Sequence, residues 1–212
     1  MPRKKPKSNE KAMNAATGID ARDFCETPNY ALDPLLPFLL PFKEGIIWET
    51  ACGSGRIVRR LEQLGFDVMG GDLMFGNDFF KESPPRAASV QVTNPPYTIK
   101  AKWIERCYQI GLPFALLVPV ETIGTGTVQA MMEEHGAELL LLNKRVNFYM
   151  PNIGWGMNGK KSSAQFPTMW FCWKILPSPL VYGRITRYPD EQLDLFTLPL
   201  PPVPVAEQAL LV

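Results

Sequence analysis

Apolar residues occur in short runs separated by polar and glycine-rich stretches, as in a chain of alternating strands and helices. Runs rich in Val, Ile and aromatic residues predict strands at 45–50, 66–72, 88–93, 114–120, 138–142 and 166–175, with 145–149 as a candidate extension of the fifth. Helical apolar spacing predicts helices at 30–40, 56–64, 99–111 and 128–135, the first shortened by its prolines. Strands that alternate with helices favour an α/β fold.

One of these strands ends abruptly at Asn94-Pro95-Pro96-Tyr97. The preceding run 88–93 is rich in Val and Thr, and two consecutive prolines cannot continue a strand. This arrangement places an amide and an aromatic ring at the carboxyl edge of the sheet, where ligands bind in open α/β proteins. Taken alone, the tetrapeptide is also compatible with an ordinary rigid turn.

A strand, a glycine loop, a helix and a second strand precede this tetrapeptide. Glu49 ends the first strand, Gly53 and Gly55 lie in the loop, and Asp72 ends the second strand. The layout suits an adenosine-type cofactor, because glycines allow close approach and the second carboxylate accepts hydrogen bonds from ribose hydroxyls. A lone G-x-G often only turns the chain tightly, but carboxylates at both strand ends make the pattern more specific.

Two further stretches contain candidate binding residues. Asp78-Phe79 offers an acceptor for an exocyclic amine and a ring for a purine, although a helix cap and a core residue are the alternatives. The glycine-rich segment 151–161 contains Trp155, Lys160 and Lys161, which are candidates for contacting a substrate. The same composition also fits a plain hairpin connection.

Composition and charge narrow the function classes. The chain has 212 residues, 46% of them hydrophobic, and a net charge of +1, which fits one globular domain without a basic surface over the whole molecule. Residues 1–20 form a predicted flexible tail whose basic start is either solubilising or a phosphate-contacting arm. The predicted domain covers 21–188, and 189–212 is a predicted C-terminal tail.

Cysteine and histidine content argues against several kinds of site. The four cysteines form no C-x-x-C pair, which disfavours a zinc site or a disulfide framework. The same pattern favours a reducing compartment, and we expect the protein in the cytoplasm. With His135 as the only histidine, triad chemistry and histidine-rich metal sites are nearly excluded, so no metal is expected. No apolar block in the first half is long enough to span a bilayer, and no membrane association is expected.

Taken together, these segments resemble the class I S-adenosylmethionine-dependent methyltransferases, specifically the bacterial and phage-like branch that methylates adenine N6 in DNA. The resemblance covers roughly residues 23–175 and implies a Rossmann-like fold with a mostly parallel central sheet and helices on both faces. It implies S-adenosylmethionine as cofactor and Asn94, Pro95, Pro96 and Tyr97 as catalytic residues. It assigns cofactor binding to Phe24, Thr27, Pro28, Glu49, Ala51, Gly53, Gly55, Asp72, Leu73, Asp78, Phe79 and Asn94.

The chemistry of an amino-methylating site follows from the residue types. An exocyclic amine conjugated to a purine is a poor nucleophile, because its lone pair is delocalised. The Asn94 side-chain oxygen and the Pro95 carbonyl can accept both amine hydrogens and so aim the lone pair at a sulfonium methyl. Tyr97 offers a face on which an extruded base can stack. Since a sulfonium is an excellent leaving group, neither a metal nor a covalent intermediate is required.

The C-terminal tail contains Gln192-Leu193-Asp194-Leu195-Phe196. It resembles the pentapeptide by which many bacterial and phage DNA-handling proteins dock on the replicative sliding clamp. Leu195 and Phe196 would fill an apolar pocket while Gln192 bonds its rim. The alternative is a short amphipathic segment that packs on the domain.

The sequence therefore predicts a DNA adenine-N6 methyltransferase, and three alternatives stay open. The same tetrapeptide serves enzymes that methylate a glutamine side-chain amide in translation factors. In the second alternative, the target adenine lies in structured RNA rather than in DNA. In the third alternative, the chain is a non-catalytic module that binds nucleic acid or the clamp. The complete tetrapeptide argues against this alternative.

Overall fold

The computed structural model describes Asp23, residues 25–148 and residues 166–186. Within these residues the chain forms a sheet of seven strands in the order β2-β1-β3-β4-β6-β5-β7. The strands are β1 (Ile46–Glu49), β2 (Asp67–Gly70), β3 (Ala88–Thr93), β4 (Phe114–Pro119), β5 (Glu138–Leu142), β6 (Thr168–Trp173) and β7 (Leu180–Gly183). The α-helices are α1 (Leu36–Leu39), α2 (Arg56–Gln63), α3 (Lys100–Ile110) and α4 (Gly126–His135).

The sheet is mostly parallel. β2, β1, β3 and β4 pair in parallel, as do β5 and β7. β6 runs antiparallel between β4 and β5. With helices on both faces this is an α/β, Rossmann-like fold, as predicted.

Two apolar cores cover the two faces of the sheet. The segment around α1, together with Ile57 and Leu61 of α2, packs on one face. Trp103 and Ile104 of α3 pack on the other, with Val128 of α4. A strand between two cores is apolar at consecutive positions rather than at alternate ones. The aromatic run of β6 follows this rule, and it was predicted as a strand.

The structure corrects the prediction at three places. The helix expected over 30–40 is a 3₁₀ turn, the single turn α1 and a second 3₁₀ turn, because prolines remove backbone donors along it. Residues 145–148 form no strand, so the expected extension of β5 is wrong in its described part. β7, which follows prolines at 177 and 179, was not predicted, yet it pairs with β5 over four residues.

The loop that follows β1 lies against the end of β2. A Cβ placed on Gly70 would stand 3.0 Å from Val58 of α2 and 3.3 Å from the Cβ of Cys52. A larger residue here would require Val58 and Cys52 to move by a few tenths of an ångström, so glycine favours this close approach of the helix and the loop to β2. The packing fixes the glycine loop beside the carboxyl end of β2.

Among the described residues, no helix is long and apolar enough to cross a membrane. The same part of the chain holds no group of three or more His, Cys, Asp or Glu side chains placed to bind a metal ion.

Candidate functional site

The predicted site residues meet at one edge of the sheet because β1, β2 and β3 are parallel neighbours. Glu49 is the last residue of β1, Asp72 follows β2, and Asn94 follows β3. The carboxyl ends of parallel strands lie at the same edge, where the ligands of such folds bind. The structure thus places these three side chains at or just after the ends of adjacent strands.

Glu49 is fully buried at this edge. Its Oε1 accepts the backbone N–H of Ala51 at 3.1 Å. Burial, with a smaller effect of the Asp72 charge, raises the pKa of Glu49 to about 8, although the Thr93 hydroxyl and the Ala51 N–H oppose the shift. The carboxyl is therefore mostly protonated at neutral pH in the protein without ligand.

Asp72 joins the two loops of the predicted cofactor site. Its Oδ2 accepts the N–H of Gly53 at 2.9 Å, and its Oδ1 accepts the N–H of Met74 at 2.8 Å. The backbone N–H of Cys52 donates to the carbonyl oxygen of Gly71 at 3.0 Å and reinforces the contact. Each carboxylate oxygen has a second lone pair, so Asp72 keeps capacity to accept from a ribose.

The glycine loop leaves room beside it. Gly53 has a φ of +51°, and a Cβ placed on it would meet no atom within 4 Å. Gly55 has a φ of +82° and is the N-cap of α2. Both glycines adopt a backbone conformation that other residues rarely take, and open space lies next to the first. Ala51 and Leu73, also assigned to the cofactor, are half-buried in the loops after β1 and β2.

The carboxamide of Asn94 has a defined orientation. Its Nδ2 donates to the carbonyl oxygen of Cys25 at 3.1 Å. A carbonyl oxygen only accepts, so the NH₂ group must face Cys25 and the oxygen must point the other way. Asn94 Oδ1 is buried, and no described residue donates to it. The side chain thus presents an unoccupied acceptor at the carboxyl edge of the sheet.

Tyr97 lies in an aromatic cluster. Its ring makes edge contacts with Phe148 at 6.2 Å and Phe166 at 5.7 Å between centroids. Burial, and to a smaller extent the charges of Cys25 and Asp23, holds the pKa of Tyr97 well above its usual value. The phenol is therefore neutral, and the partly buried ring forms a wall of the site.

Asp78 and Phe79, the residues predicted to contact the adenine of the cofactor, lie in different surroundings from the loops described above. Phe79 is 3% exposed and stacks on Trp103 with centroids 4.5 Å apart, so the structure places it in the core. The neighbouring Phe80 is 39% exposed. Asp78 pairs with Lys81 at 2.7 Å and accepts the N–H of Phe80 at 3.1 Å, and its pKa is lowered chiefly by the Lys81 hydrogen bond. Phe79 is thus a core residue, and Asp78 closes a turn rather than capping a helix. The contact of these two residues with the cofactor adenine stays a prediction.

A segment that the sequence analysis underestimated touches both loops. The Asp23 carboxylate accepts the backbone N–H of Thr98 at 3.2 Å and also its hydroxyl. Glu26 pairs with Arg56, the first residue of α2, at 2.8 Å. No sequence pattern marks these contacts, because the first pair is 75 residues apart and the second 30. Thr27 and Pro28, which follow, are buried.

Buried polar side-chain atoms without a described partner concentrate at this edge. They belong to residues that follow β1, β3 or β4 or that begin the antiparallel β6, namely Thr50, Asn94, Tyr97, Thr122 and Thr168. Others lie away from the loops, at Arg60, Gln91, Trp103 and Arg106. Buried polar groups are normally satisfied, so the concentration is typical of a site that a ligand or water completes.

The opposite edge of the sheet has a different character. A cavity of about 300 Å³ lies there between His135, Glu138 and Trp173. The Glu138 carboxylate accepts the backbone N–H groups of residues 174–176, and Trp173 donates to the His135 carbonyl. These polar groups already have partners, so the cavity does not compete with the loop site as the place of chemistry.

Several predicted residues lie outside the described part of the chain. They are Phe24 of the cofactor set, Trp155, Lys160 and Lys161 of the substrate set, and Gln192, Leu193, Asp194, Leu195 and Phe196 of the docking peptide.

Comparison with known proteins adds a structural likeness. No protein-family model and no curated protein matches the chain. Among solved structures, the chain is similar to the crystal structure of a predicted O-methyltransferase from Agrobacterium tumefaciens. The superposition has a TM-score of 0.36 and 14% sequence identity, and it covers 72% of this chain and 84% of that chain.

Proposed function

We propose that this chain transfers a methyl group from S-adenosylmethionine to the N6 amine of adenine in DNA. The observation that carries the proposal is the carboxamide of Asn94, whose oxygen is a buried acceptor without a described donor. It lies at the carboxyl edge of the sheet, next to the loops that hold Glu49 and Asp72. An exocyclic amine supplies the N–H donor that this oxygen lacks.

The residues of the neighbouring loops fit the cofactor. The open space beside Gly53 admits a ligand against the backbone, and Asp72 retains lone pairs for ribose hydroxyls. Glu49 supplies a buried carboxyl next to the same loop. S-Adenosylmethionine, when bound, supplies an electrophilic methyl group on a sulfonium. Gly53, Asp72 and Glu49 would hold this cofactor.

The residues of the acceptor loop prepare the nucleophile. Asn94 Oδ1 and the Pro95 carbonyl accept the two amine hydrogens, which draws the nitrogen out of conjugation and frees its lone pair. Proline at 95 and 96 restricts the backbone, so the acceptors are held before the substrate arrives. Neither acceptor is basic enough to keep a proton. The proton lost by the methylated amine therefore passes to water.

The aromatic cluster around Tyr97 supports a planar substrate. Tyr97 directly follows the acceptor residues. Its ring packs against Phe148 and Phe166, and the three rings form an apolar surface. A base taken out of a stack regains stacking energy against such rings, of the order of 1–3 kcal/mol for each base. These features favour a nucleobase over an extended peptide amide.

DNA is favoured over RNA by the C-terminal peptide Gln192-Leu193-Asp194-Leu195-Phe196. We propose that it docks on the replicative sliding clamp, which would bring the enzyme to newly made DNA. The contact would be an apolar anchor in a pocket, with Leu195 and Phe196 as the anchor residues.

The test is labelled-methyl transfer from S-adenosylmethionine to adenine-unmethylated genomic DNA, with total RNA and a protein extract in parallel. Digestion of the labelled polymer to nucleosides identifies the product, and Asn94→Ala serves as the matched inactive control. N6-Methyladenine in DNA with the wild type alone would establish the proposal. Label in RNA or protein alone would replace the substrate. No label anywhere, despite measurable cofactor binding, would favour the non-catalytic alternative.

A further inference from the structure

The segment 23–26 contacts the two halves of the site at three points. Asp23 binds Thr98 in the loop after the catalytic tetrapeptide, through both the backbone N–H and the hydroxyl. The carbonyl oxygen of Cys25 accepts from Asn94. Glu26 pairs with Arg56 at the start of α2, directly after the glycine loop. We refer to Asp23, Cys25 and Glu26 together as the strap.

We propose that Asp23 is a positioning residue, which acts through Thr98 to hold Asn94 against the Cys25 carbonyl with its oxygen turned to the substrate. The inference rests on the proposed function, because it assigns Asp23 a role in presenting the acceptor for the amine. Asp23 itself touches neither substrate nor reacting atoms in this assignment.

The orientation of Asn94 depends on this contact for a simple reason. A carboxamide has two ends of similar size, and only the surroundings decide which end faces the substrate. With the NH₂ end turned outward, a donor would meet the amine hydrogens and the acceptor would be lost. The Cys25 carbonyl prevents this, provided that the strap and the loop remain at hydrogen-bonding distance.

Asp23 holds the two segments together four residues beyond Asn94. A carboxylate that accepts both the N–H and the O–H of one residue fixes that residue in two directions, and charge-assisted bonds of this kind are stronger than neutral ones. Two bonds at Asp23 and one at Cys25 then define the position of the loop relative to the strap. A shift of about 1 Å at a reacting group can cost up to a hundredfold in rate.

The contact between Glu26 and Arg56 links the strap to the cofactor side of the site. The Glu26 and Arg56 side chains are 25% and 35% exposed, so the pair is partly shielded from solvent. Arg56 is the first residue of α2 and directly follows Gly55 of the glycine loop. The strap therefore joins the loop that would bind the cofactor to the loop that would bind the amine.

The kinetic test compares Asp23→Ala with Asp23→Asn. An asparagine can accept from the Thr98 N–H and donate to its hydroxyl, so it preserves both contacts without the charge. We expect Asp23→Ala to lower kcat between about tenfold and a hundredfold, and Asp23→Asn to stay within about threefold of wild type. The Kd for S-adenosylmethionine should change less than about twofold in both.

A double-mutant cycle shows whether Asp23 acts through Thr98. Thr98→Val removes the hydroxyl at constant shape, and in the Asp23→Ala background it should cause little further loss of kcat. The matched control is Thr127→Val, an exposed threonine of α4, which should keep wild-type rates. Additive losses from Asp23→Ala and Thr98→Val would overturn the assigned route.

A second readout does not depend on activity. In ¹H–¹⁵N spectra of the apoprotein, the side-chain NH₂ of Asn94 is identified by its loss in Asn94→Ala. We expect protection of this group from solvent exchange in wild type and Asp23→Asn, and faster exchange in Asp23→Ala. Unchanged exchange in Asp23→Ala would refute the positioning role, even if activity fell.

The two readouts separate this inference from the proposed function. If the wild type methylates no DNA, RNA or protein but the exchange pattern is as expected, the proposed function fails and the positioning role holds. If methylation of DNA is found and Asp23→Ala changes neither kcat nor exchange, the proposed function holds and the positioning role fails. Thermal unfolding of each variant distinguishes both outcomes from loss of the fold.

Discussion

The backbone N–H of Gly53 donates to Oδ2 of Asp72 over 2.9 Å, which ties the glycine loop after β1 to the residue that follows β2. The other carboxylate oxygen caps the turn that begins at Leu73. Asp72 thus organises the predicted cofactor site even before a ligand binds. The loop tie is seen in the structure, and the proposed role as a ribose acceptor is tested by substitution.

Asp72→Ala is expected to weaken S-adenosylmethionine binding by tenfold or more, about 1.4 kcal/mol, because both the ribose acceptor and the loop tie are lost. Asp72→Asn keeps one acceptor oxygen and should lose less. Isothermal titration measures both affinities. Equal cofactor affinity in wild type and Asp72→Ala would contradict the assigned role of this carboxylate.

Asn94→Ala is expected to retain cofactor affinity and lose about a hundredfold or more in kcat, since the oxygen acts chiefly on the transition state. Asn94→Asp keeps an acceptor oxygen but sets a carboxylate against the Cys25 carbonyl in place of the NH₂ donor. We expect intermediate turnover for it. Single-turnover methylation under saturating cofactor is the measurement. Wild-type turnover in Asn94→Ala would show that the acceptor role is wrong.

Glu49 makes stability depend on pH. Its folded pKa of about 8 lies above the value of 4.5 for a free carboxyl, so the native state binds more protons between these two values. The free energy of unfolding should therefore fall as pH rises from about 4.5 to 8, with a slope near 1.4 kcal/mol per pH unit from this group. Below that window, both states are protonated and the effect vanishes.

Glu49→Gln removes this contribution, because the amide does not titrate. The difference in unfolding free energy between Glu49→Gln and wild type should grow in favour of the variant from pH 5 to pH 8. Urea denaturation of the apoproteins at four pH values gives the difference, in which other titrating groups cancel. A difference that is flat across this range would mean that Glu49 is charged in the folded protein.

Phe79 and Phe80 are neighbours with opposite expected effects. Phe79→Ala should cost about 3–5 kcal/mol of stability, because the ring stacks on Trp103 in the core. Phe80→Ala should cost only about 1 kcal/mol, since it loses edge contacts at a partly exposed position. Urea denaturation compares the two.

Phe79→Leu keeps most of the apolar volume and removes the aromatic face. If the ring is core alone, this variant binds S-adenosylmethionine with wild-type affinity once folded. A clear loss of cofactor affinity would instead restore the predicted contact with the cofactor adenine.

The docking peptide gives a prediction that does not involve the catalytic site. Replacing Leu195 and Phe196 together with Ala should abolish binding to the sliding clamp, because hot-spot anchors of this kind supply most of such an interface. Methylation of free DNA should remain at the wild-type rate. Surface plasmon resonance against immobilised clamp measures the first, and the transfer assay the second. Unchanged clamp affinity in the double variant would remove the docking proposal.

The sequence by itself determined the features that depend on local patterning. Strand and helix positions from residue 45 to 142 follow from apolar periodicity, and β3 and β5 begin and end where the pattern placed them. Glu49 and Asn94 stand at strand ends because glycine and proline stop the strands there. Parallel pairing then brings them to one edge, which the alternation of strands and helices already implied.

Only the tertiary structure decided the features that join distant segments. β6 lies antiparallel between β4 and β5, and an aromatic run buried on both faces carries no mark of its direction. Phe79 is core and Phe80 is exposed because of packing against Trp103, a residue of α3.

The orientation of the Asn94 side chain is also decided by the tertiary structure alone. It depends on the carbonyl of Cys25, which lies 69 residues earlier in the chain. Every residue carries a backbone carbonyl, so no residue type in the sequence marks the one that fixes the Asn94 carboxamide. The sequence determined which side chain offers the acceptor, and long-range hydrogen bonding decided which way that acceptor points.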